Sequence, residues 1–169
     1  NPPFVFGSSY YGGTWARSKN AYQSRAMSSP TGQLTALKTL LEENERVKRH
    51  GFQKGEFERA KTAILARMDK AFQNKDKNES GRYVGEYVRN FLEKEPIPGI
   101  EWEYNFYKKA LPTIQLDEIN GLISNYLHED NRVVVLTGSD KEGTPKIREQ
   151  QVADLLVEVE KADIKPYED

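Results

Sequence analysis

Histidine is the first residue type to examine for chemistry, because imidazole serves both as a metal ligand and as a general base. The sequence of 169 residues has only two, His50 and His128, and it has no cysteine. A catalytic zinc site needs three protein ligands, and peptidases commonly supply two of them as imidazoles within H-E-x-x-H or H-x-x-E-H. Neither motif occurs in the sequence. We therefore predict that the chain contributes no metal ligand.

The two histidines have simpler interpretations than metal binding. His128 begins the run His128-Glu129-Asp130, which is the nearest approach to a ligand cluster. Adjacent side chains at a helix end diverge by about 100°, so this run is predicted to be a solvated helix terminus. His50 precedes Gly51 in a basic last turn, where a cation is favoured by the helix dipole, and capping is predicted for it.

Other residues that could do chemistry also lack the required context. Gly7-Ser8-Ser9-Tyr10 does not match the G-x-S-x-G motif of a nucleophilic serine, and Gly12-Gly13 is not followed by the G-K-[ST] of a phosphate loop. Glu93 and Glu95 flank Lys94, which is typical of a solvated surface. A stand-alone hydrolase would need a perturbed carboxylate pair in a deep pocket. We predict no catalytic and no cofactor-binding residue.

Two clusters admit a binding interpretation beside a structural one. The basic cluster contains Arg46, Lys48, Arg49, His50 and Lys54, and the aromatic cluster contains Trp102, Tyr104, Phe106 and Tyr107. The basic cluster could bind an anion, but a helix C-terminus attracts basic residues because they stabilise it, and we favour that structural interpretation. The aromatic cluster could be a platform for peptides, although core packing is the favoured interpretation.

Charge and hydropathy exclude several classes of partner. The chain has 25 Lys and Arg against 26 Asp and Glu, a net charge of −1. This balance argues against nucleic acid or an anionic membrane as a partner held by bulk electrostatics. No apolar run approaches the roughly 18 residues that a membrane span needs. The start Asn1-Pro2-Pro3, without Met, is interpreted as that of a piece excised from a longer protein.

The hydrophobic periodicity predicts strands first and helices afterwards. Period-two patterns predict strands over Phe4–Trp15 and Ala21–Met27, and the β-branched run Arg132–Thr137 predicts a third strand. Helical spacing predicts five helices between the second and third strands, over Gln33–His50, from Gln53, over Gly81–Glu93, from Ile100 and from Gln115. A last helix is predicted from Pro145, with Leu155 and Val159 on its apolar face. This segregation indicates an α+β domain.

Several segments in order resemble the second domain of one half of an insulinase/pitrilysin-type peptidase in its bacterial form. That domain is usually catalogued as the inactive one. The matching segments are Gly51–Phe52 with Glu56–Lys61, Gly85–Glu93, Glu95–Glu101, Leu111–Asn120 and Asn131–Gly138. Gln115 departs from the family pattern, which usually has Thr or Ser capping this helix, so a slightly weaker helix start is expected.

The resemblance implies a metallopeptidase-like half-domain, similar to those of mitochondrial processing peptidase. Its fold would be an antiparallel sheet with helices packed on one face. Residues 1–163 would form the non-catalytic domain, truncated at its N-terminus, and residues 164–169 would begin an interdomain linker. An unpaired sheet edge and exposed apolar surface are then expected, and with them self-association of the fragment.

The resemblance also implies a function. The fragment would be a structural domain that packs on the catalytic domain and lines the substrate chamber, while zinc would lie in the catalytic domain of the parent enzyme. The implied partners are that domain, the second half of the same protein or a partner subunit, and peptide substrate. The alternative is a domain of a catalytically inactive homologue that acts as a scaffold. Bacterial periplasm, cell envelope and cytoplasm all remain open as compartments.

Overall fold

The computed structural model describes residues 3–14, 18–77 and 80–168. Trp15, the predicted end of the first strand, lies outside the described residues. The strands and helices follow one another in the order β1 (Phe6–Gly13), β2 (Asn20–Met27), α1 (Gln33–His50), α2 (Lys54–Gln73), α3 (Ser80–Glu93), α4 (Ile100–Ala110), α5 (Leu116–Tyr126) and α6 (Glu149–Lys161). Strands followed by helices confirm the α+β class.

The chain divides into two compact units. The first unit consists of Asn1–Phe52 and Asn120–Glu168, and the second consists of Gln53–Ile119. Within the described ranges, no helix combines the length and the apolar composition that crossing a bilayer would require.

The first unit contains an antiparallel hairpin. β1 pairs with β2 in a register that runs from Phe6 opposite Met27 to Gly13 opposite Asn20. Because side chains alternate along a strand, Tyr22 and Ser24 project toward the same face, and both donate hydrogen bonds to the Asn44 side chain of α1, at 3.0 and 2.9 Å. The predicted antiparallel pairing is therefore confirmed for these strands, and α1 packs on β2.

The core of the first unit lies between α1 and α6. Leu155, Val159 and Ile164 are buried, and Val159 is only 2% exposed. The spacing of Leu155 and Val159 places both on one face of α6, as the sequence predicts. Partly buried apolar residues that pack against them are Leu34, Leu37, Leu41 and Ala162.

Gly51 ends α1 at the predicted position. Its φ of +69° and ψ of −173° place it in a region that is essentially restricted to glycine. A Cβ at Gly51 would come within 2.7 Å of the Asn120 side chain. The Asn120 amide in turn donates to the Phe52 carbonyl at 3.3 Å and accepts from the Phe52 N–H at 2.9 Å. The chain thus turns sharply after α1 and is held there by one side chain.

The second unit is built around α2 and α4. The Phe72 and Tyr104 rings stack with their centroids 4.6 Å apart. The start of α2 is fixed by the Glu56 carboxylate, which accepts a hydrogen bond from the Gln53 N–H at 2.8 Å. α3 ends at Glu93, ahead of the two prolines that follow, which confirms the predicted end.

Two sequence predictions are wrong. Arg132–Thr137 belongs to no sheet among the described residues, because a strand requires a partner edge as well as β-branched side chains. The last helix begins at Glu149 instead of Pro145. There the Gln151 side chain accepts a hydrogen bond from the Arg148 N–H at 3.0 Å, which is the capping interaction that a helix start needs.

Candidate functional site

His50 lies at the end of α1, where its imidazole is engaged with the backbone. The ring Nε2 donates a hydrogen bond to the Ile164 carbonyl at 2.7 Å, after the end of α6. A nitrogen that carries this proton is not available as a metal ligand. Capping was predicted for His50, and the carbonyl that it binds belongs to the segment after α6 and not to α1.

Arg49 binds three carbonyl groups near the end of α6. Its guanidinium donates to Glu160 at 2.7 Å, to Ala162 at 2.6 Å and to Val159 at 3.5 Å. Arg46 donates to the Lys165 carbonyl. We call Arg46, Arg49 and His50 with these carbonyls the carbonyl clamp. Cations are favoured where helix carbonyls lack partners, so the clamp stabilises the end of α6.

The clamp decides between the two interpretations of the basic cluster. Arg46 also contacts the Glu43 carboxylate at 3.3 Å, and Arg49 contacts Glu45 at 3.1 Å. With their donors committed to carbonyls and carboxylates, these arginines stabilise a helix end and are not arranged to receive an anion. The structural interpretation of the cluster is therefore favoured for these residues, although the helix that they cap is α6.

The run from His128 to Asp130 does not converge on one point. The His128 Nε2 donates to the Asn125 carbonyl at 2.9 Å. Glu129 pairs with Lys48 at 2.6 Å, and the hydrogen bond from Lys48 lowers the pKa of the Glu129 carboxyl. All three residues are exposed, as predicted. Among the described residues, no group of three or more His, Cys, Asp or Glu is arranged to hold a metal ion.

Ser9 and Glu95, two of the serine and glutamate candidates, have structural partners. The Ser9 hydroxyl hydrogen-bonds the Ser24 hydroxyl across the hairpin at 2.9 Å. Glu95 pairs with Arg89 at 2.8 Å. Neither arrangement brings a general base to a nucleophile.

The aromatic cluster divides into a packed half and an exposed half. Tyr104 faces α2 and stacks on Phe72, as core packing predicts. Trp102 and Phe106 stack on each other at 5.0 Å but are 56% and 49% exposed, so core packing is wrong for these two. Tyr104 lies on the face of α4 that packs against α2, whereas Trp102 and Phe106 lie on a different face of α4.

Sequence reasoning missed an open depression of about 390 Å³ in the second unit. It lies beside the ion pair of Lys75 with Glu101. The hydrogen bond between these two side chains raises the pKa of Lys75 and lowers that of Glu101. Because the lining comes from three separate segments, no local motif could reveal it. The lining residues are Lys75, Asp76, Tyr83, Pro98, Gly99, Ile100 and Glu101.

The apolar stripe of α3 is exposed in the described structure. Val84, Tyr87, Val88 and Phe91 are 56%, 58%, 49% and 76% exposed. The sequence predicts this stripe from its helical spacing, but spacing carries no information about what covers it. A contiguous exposed apolar surface of this kind marks an interaction site more often than an accident.

Comparisons with known proteins give one sequence relative and one solved structure. Over 75 residues, or 44% of this chain, the sequence is 32% identical to a protein of Arabidopsis thaliana named "Zinc protease PQQL-like". The fold matches the first half of the periplasmic protease PqqL from Escherichia coli with a TM-score of 0.74, at 14% identity and over 99% of this chain. No protein-family model matches the chain.

These likenesses support the resemblance to zinc proteases of the pitrilysin type. They cover only part of each similar protein. The chain spans 8% of the Arabidopsis protein and 36% of the solved E. coli chain. The structural likeness concerns the fold alone, which is that of a region within one protease half.

Proposed function

We propose that this chain is a non-catalytic structural domain of a zinc-dependent metalloendopeptidase. In this proposal it packs on the catalytic domain, lines the substrate chamber and has no proteolytic activity by itself. The proposal rests chiefly on the 75-residue similarity to a PqqL-like zinc protease. The hydrogen bonds of His50 and His128 to backbone carbonyls agree with a structural role.

The zinc ion of such an enzyme would be held by residues outside this chain, in the catalytic domain. The proposed partners are that domain, the second half of the same protein or a partner subunit, and the peptide substrate of the intact enzyme. Periplasmic location is a property of the E. coli protease, and we do not extend it to this chain.

Metal analysis with a peptidase assay on the purified 169-residue chain tests the absence of catalysis. We expect less than stoichiometric zinc after dialysis and no cleavage of unfolded or short peptides. Stoichiometric, tightly bound zinc or zinc-dependent cleavage would overturn the proposal.

A pair of matched valines tests the proposed packing in the complete polypeptide. Val88 on α3 and Val157 on α6 are 49% and 47% exposed, so an aspartate at either position costs the isolated domain little. Val88→Asp should lower peptidase activity if α3 packs on the catalytic domain, because a buried unpaired carboxylate is costly. Val157→Asp is the control, and equal activity of the two variants would contradict the use of α3.

The alternative is a domain of a catalytically inactive homologue that serves as a partner subunit or scaffold. The resemblance that motivates the first proposal applies equally to such a homologue. The sequence of the rest of the polypeptide separates them, since an H-x-x-E-H motif upstream of Asn1 supports the peptidase. Its absence from the complete protein would favour the scaffold.

A further inference from the structure

One face of the β1–β2 hairpin is turned away from α1. Tyr22 and Ser24 hydrogen-bond Asn44 of α1, so the alternate residues of β2 project from the opposite face. The strand register sets each of these residues opposite one of β1. We call this surface the outer face of the hairpin, and its members are Phe6, Ser8, Tyr10, Gln23, Arg25 and Met27.

The outer face is apolar and open to solvent. Phe6, Tyr10 and Met27 are 58%, 61% and 64% exposed. The Tyr10 ring lies over Gly12, since a Cβ at Gly12 would overlap its phenol group. A depression of about 260 Å³ borders Tyr10 and Arg25 on this face. An aromatic surface with a small hollow suits an extended peptide segment, which can lay single side chains on it.

Arg25 is the charged side chain of the outer face. Its guanidinium donates a hydrogen bond to the Gln23 side-chain oxygen. In the part of the chain that the structure describes, no carboxylate forms an ion pair with Arg25. A guanidinium has five N–H donors in a planar arrangement that matches a carboxylate. Arg25 therefore retains donors for an acidic group supplied from outside the hairpin.

The charge distribution of the sequence favours the same kind of ligand. The chain contains 26 Asp and Glu, yet none precedes Glu42. The stretch before Glu42 contains Arg17, Lys19, Arg25 and Lys38, so it is positive in a chain whose net charge is −1. A positive surface is complementary to a negative ligand and disfavours a positive one.

We propose that the outer face of the hairpin binds an extended segment of peptide substrate that carries an acidic side chain beside apolar residues. The Arg25 guanidinium donates to the acidic side chain, while Phe6, Tyr10 and Met27 contact its apolar neighbours. The inference rests on the proposed function, since a domain that lines a substrate chamber meets unfolded peptides. It adds a preference that the proposed function does not contain.

A titration followed by heteronuclear nuclear magnetic resonance tests the location and the preference together. The probes are two end-capped peptides that differ only in a central glutamate or glutamine between apolar residues. The glutamate peptide should shift the amide signals of Ser8, Tyr10 and Gln23 and bind about twofold to fivefold more tightly, because the ion pair is solvent-exposed. Equal affinity for both peptides, signal shifts confined to other segments, or no binding at millimolar peptide would overturn the proposal.

A charge-removing variant assigns the preference to one side chain. Arg25→Gln should bind both peptides with the affinity that the wild type has for the glutamine peptide. Lys146→Gln is the matched control, because it removes the same charge from an exposed position ahead of α6. It should keep the wild-type preference. A preference that survives Arg25→Gln, or that Lys146→Gln abolishes equally, would contradict the role of Arg25.

Gly12→Ala tests the aromatic part of the surface separately from the charge. Its Cβ displaces the Tyr10 ring, so both peptides should bind more weakly while the preference for glutamate remains. Unchanged affinities would contradict the contact with Tyr10. Zinc content and peptide cleavage are independent measurements: tightly bound zinc overturns the proposed function, whereas a missing glutamate preference overturns this inference alone.

Discussion

The helices α6 and α3 are of similar length, 13 and 14 residues, and both carry one apolar face. Leu155 and Val159 of α6 are buried against α1, whereas the stripe of α3 is exposed, with Phe91 at 76%. The difference shows that an amphipathic pattern predicts which face of a helix is apolar. It does not predict whether another segment of the same chain packs against that face. The covered helix belongs to a core, and the uncovered helix offers a surface for a partner.

The largest expected effect comes from deleting side-chain volume in the covered helix. Leu155→Ala should lower the free energy of unfolding by about 2–5 kcal/mol, because it removes buried apolar contacts and leaves a cavity. Urea unfolding followed by far-ultraviolet circular dichroism measures this change. Phe91→Ala on α3 is the matched comparison and should change stability by no more than about 0.5 kcal/mol. Equal losses would mean that α3 is also packed in solution.

The carbonyl clamp should contribute the next largest effect. Arg49→Met keeps much of the apolar length of the side chain but removes the donors to the α6 carbonyls, at an expected cost of about 1.5–3 kcal/mol. Arg49→Lys keeps the charge without the planar guanidinium, so its free energy of unfolding should lie between those of the wild type and Arg49→Met. Arg25→Met, at an exposed position of β2, is the control for losing an arginine. A wild-type unfolding curve for Arg49→Met would show that the clamp adds no stability.

A smaller effect, on dye binding and not on stability, is expected from the uncovered helix. Phe91→Ser should reduce the fluorescence of an added apolar-surface dye, because it removes the most exposed aromatic of the stripe. The unfolding curve should remain that of the wild type. Val157→Ser, which alters an isolated exposed apolar residue of α6, should leave the dye signal nearly unchanged. The same loss of signal in both variants would mean that the dye does not report on α3.

The elements set by local rules could be predicted from the sequence. α1 begins at Gln33 and ends at His50 as predicted, because its apolar spacing is regular and Gly51 can adopt the conformation that follows. Features that depend on distant partners could not be predicted in this way. Arg132–Thr137 has strand composition but no paired edge among the residues that the structure describes, and the exposure of Trp102 depends on which face of α4 meets α2.

The candidate site shows the same division. The sequence has only two histidines, no cysteine and neither zinc-peptidase motif, and the prediction of no metal ligand rests on these features. It does not reveal that Arg49 and His50 reach carbonyls more than a hundred positions later in the chain. Such contacts depend on the packing of α1 against α6, which no local pattern encodes.

The ion pair of Lys48 with Glu129 should give the smallest effect, because both side chains are partly exposed. The hydrogen bond between them lowers the pKa of Glu129 below 4.5 and raises that of Lys48 above 10.5. The stabilisation is therefore present between these two values, is lost as pH falls through the folded-state pKa of Glu129, and is lost at high pH as Lys48 deprotonates. Lys48→Met should cost a little stability at pH 7 and less as the pH falls below 4.5. Lys54→Met, at an exposed position at the start of α2, is the control, and a difference between the variants that did not shrink in acid would contradict the assignment.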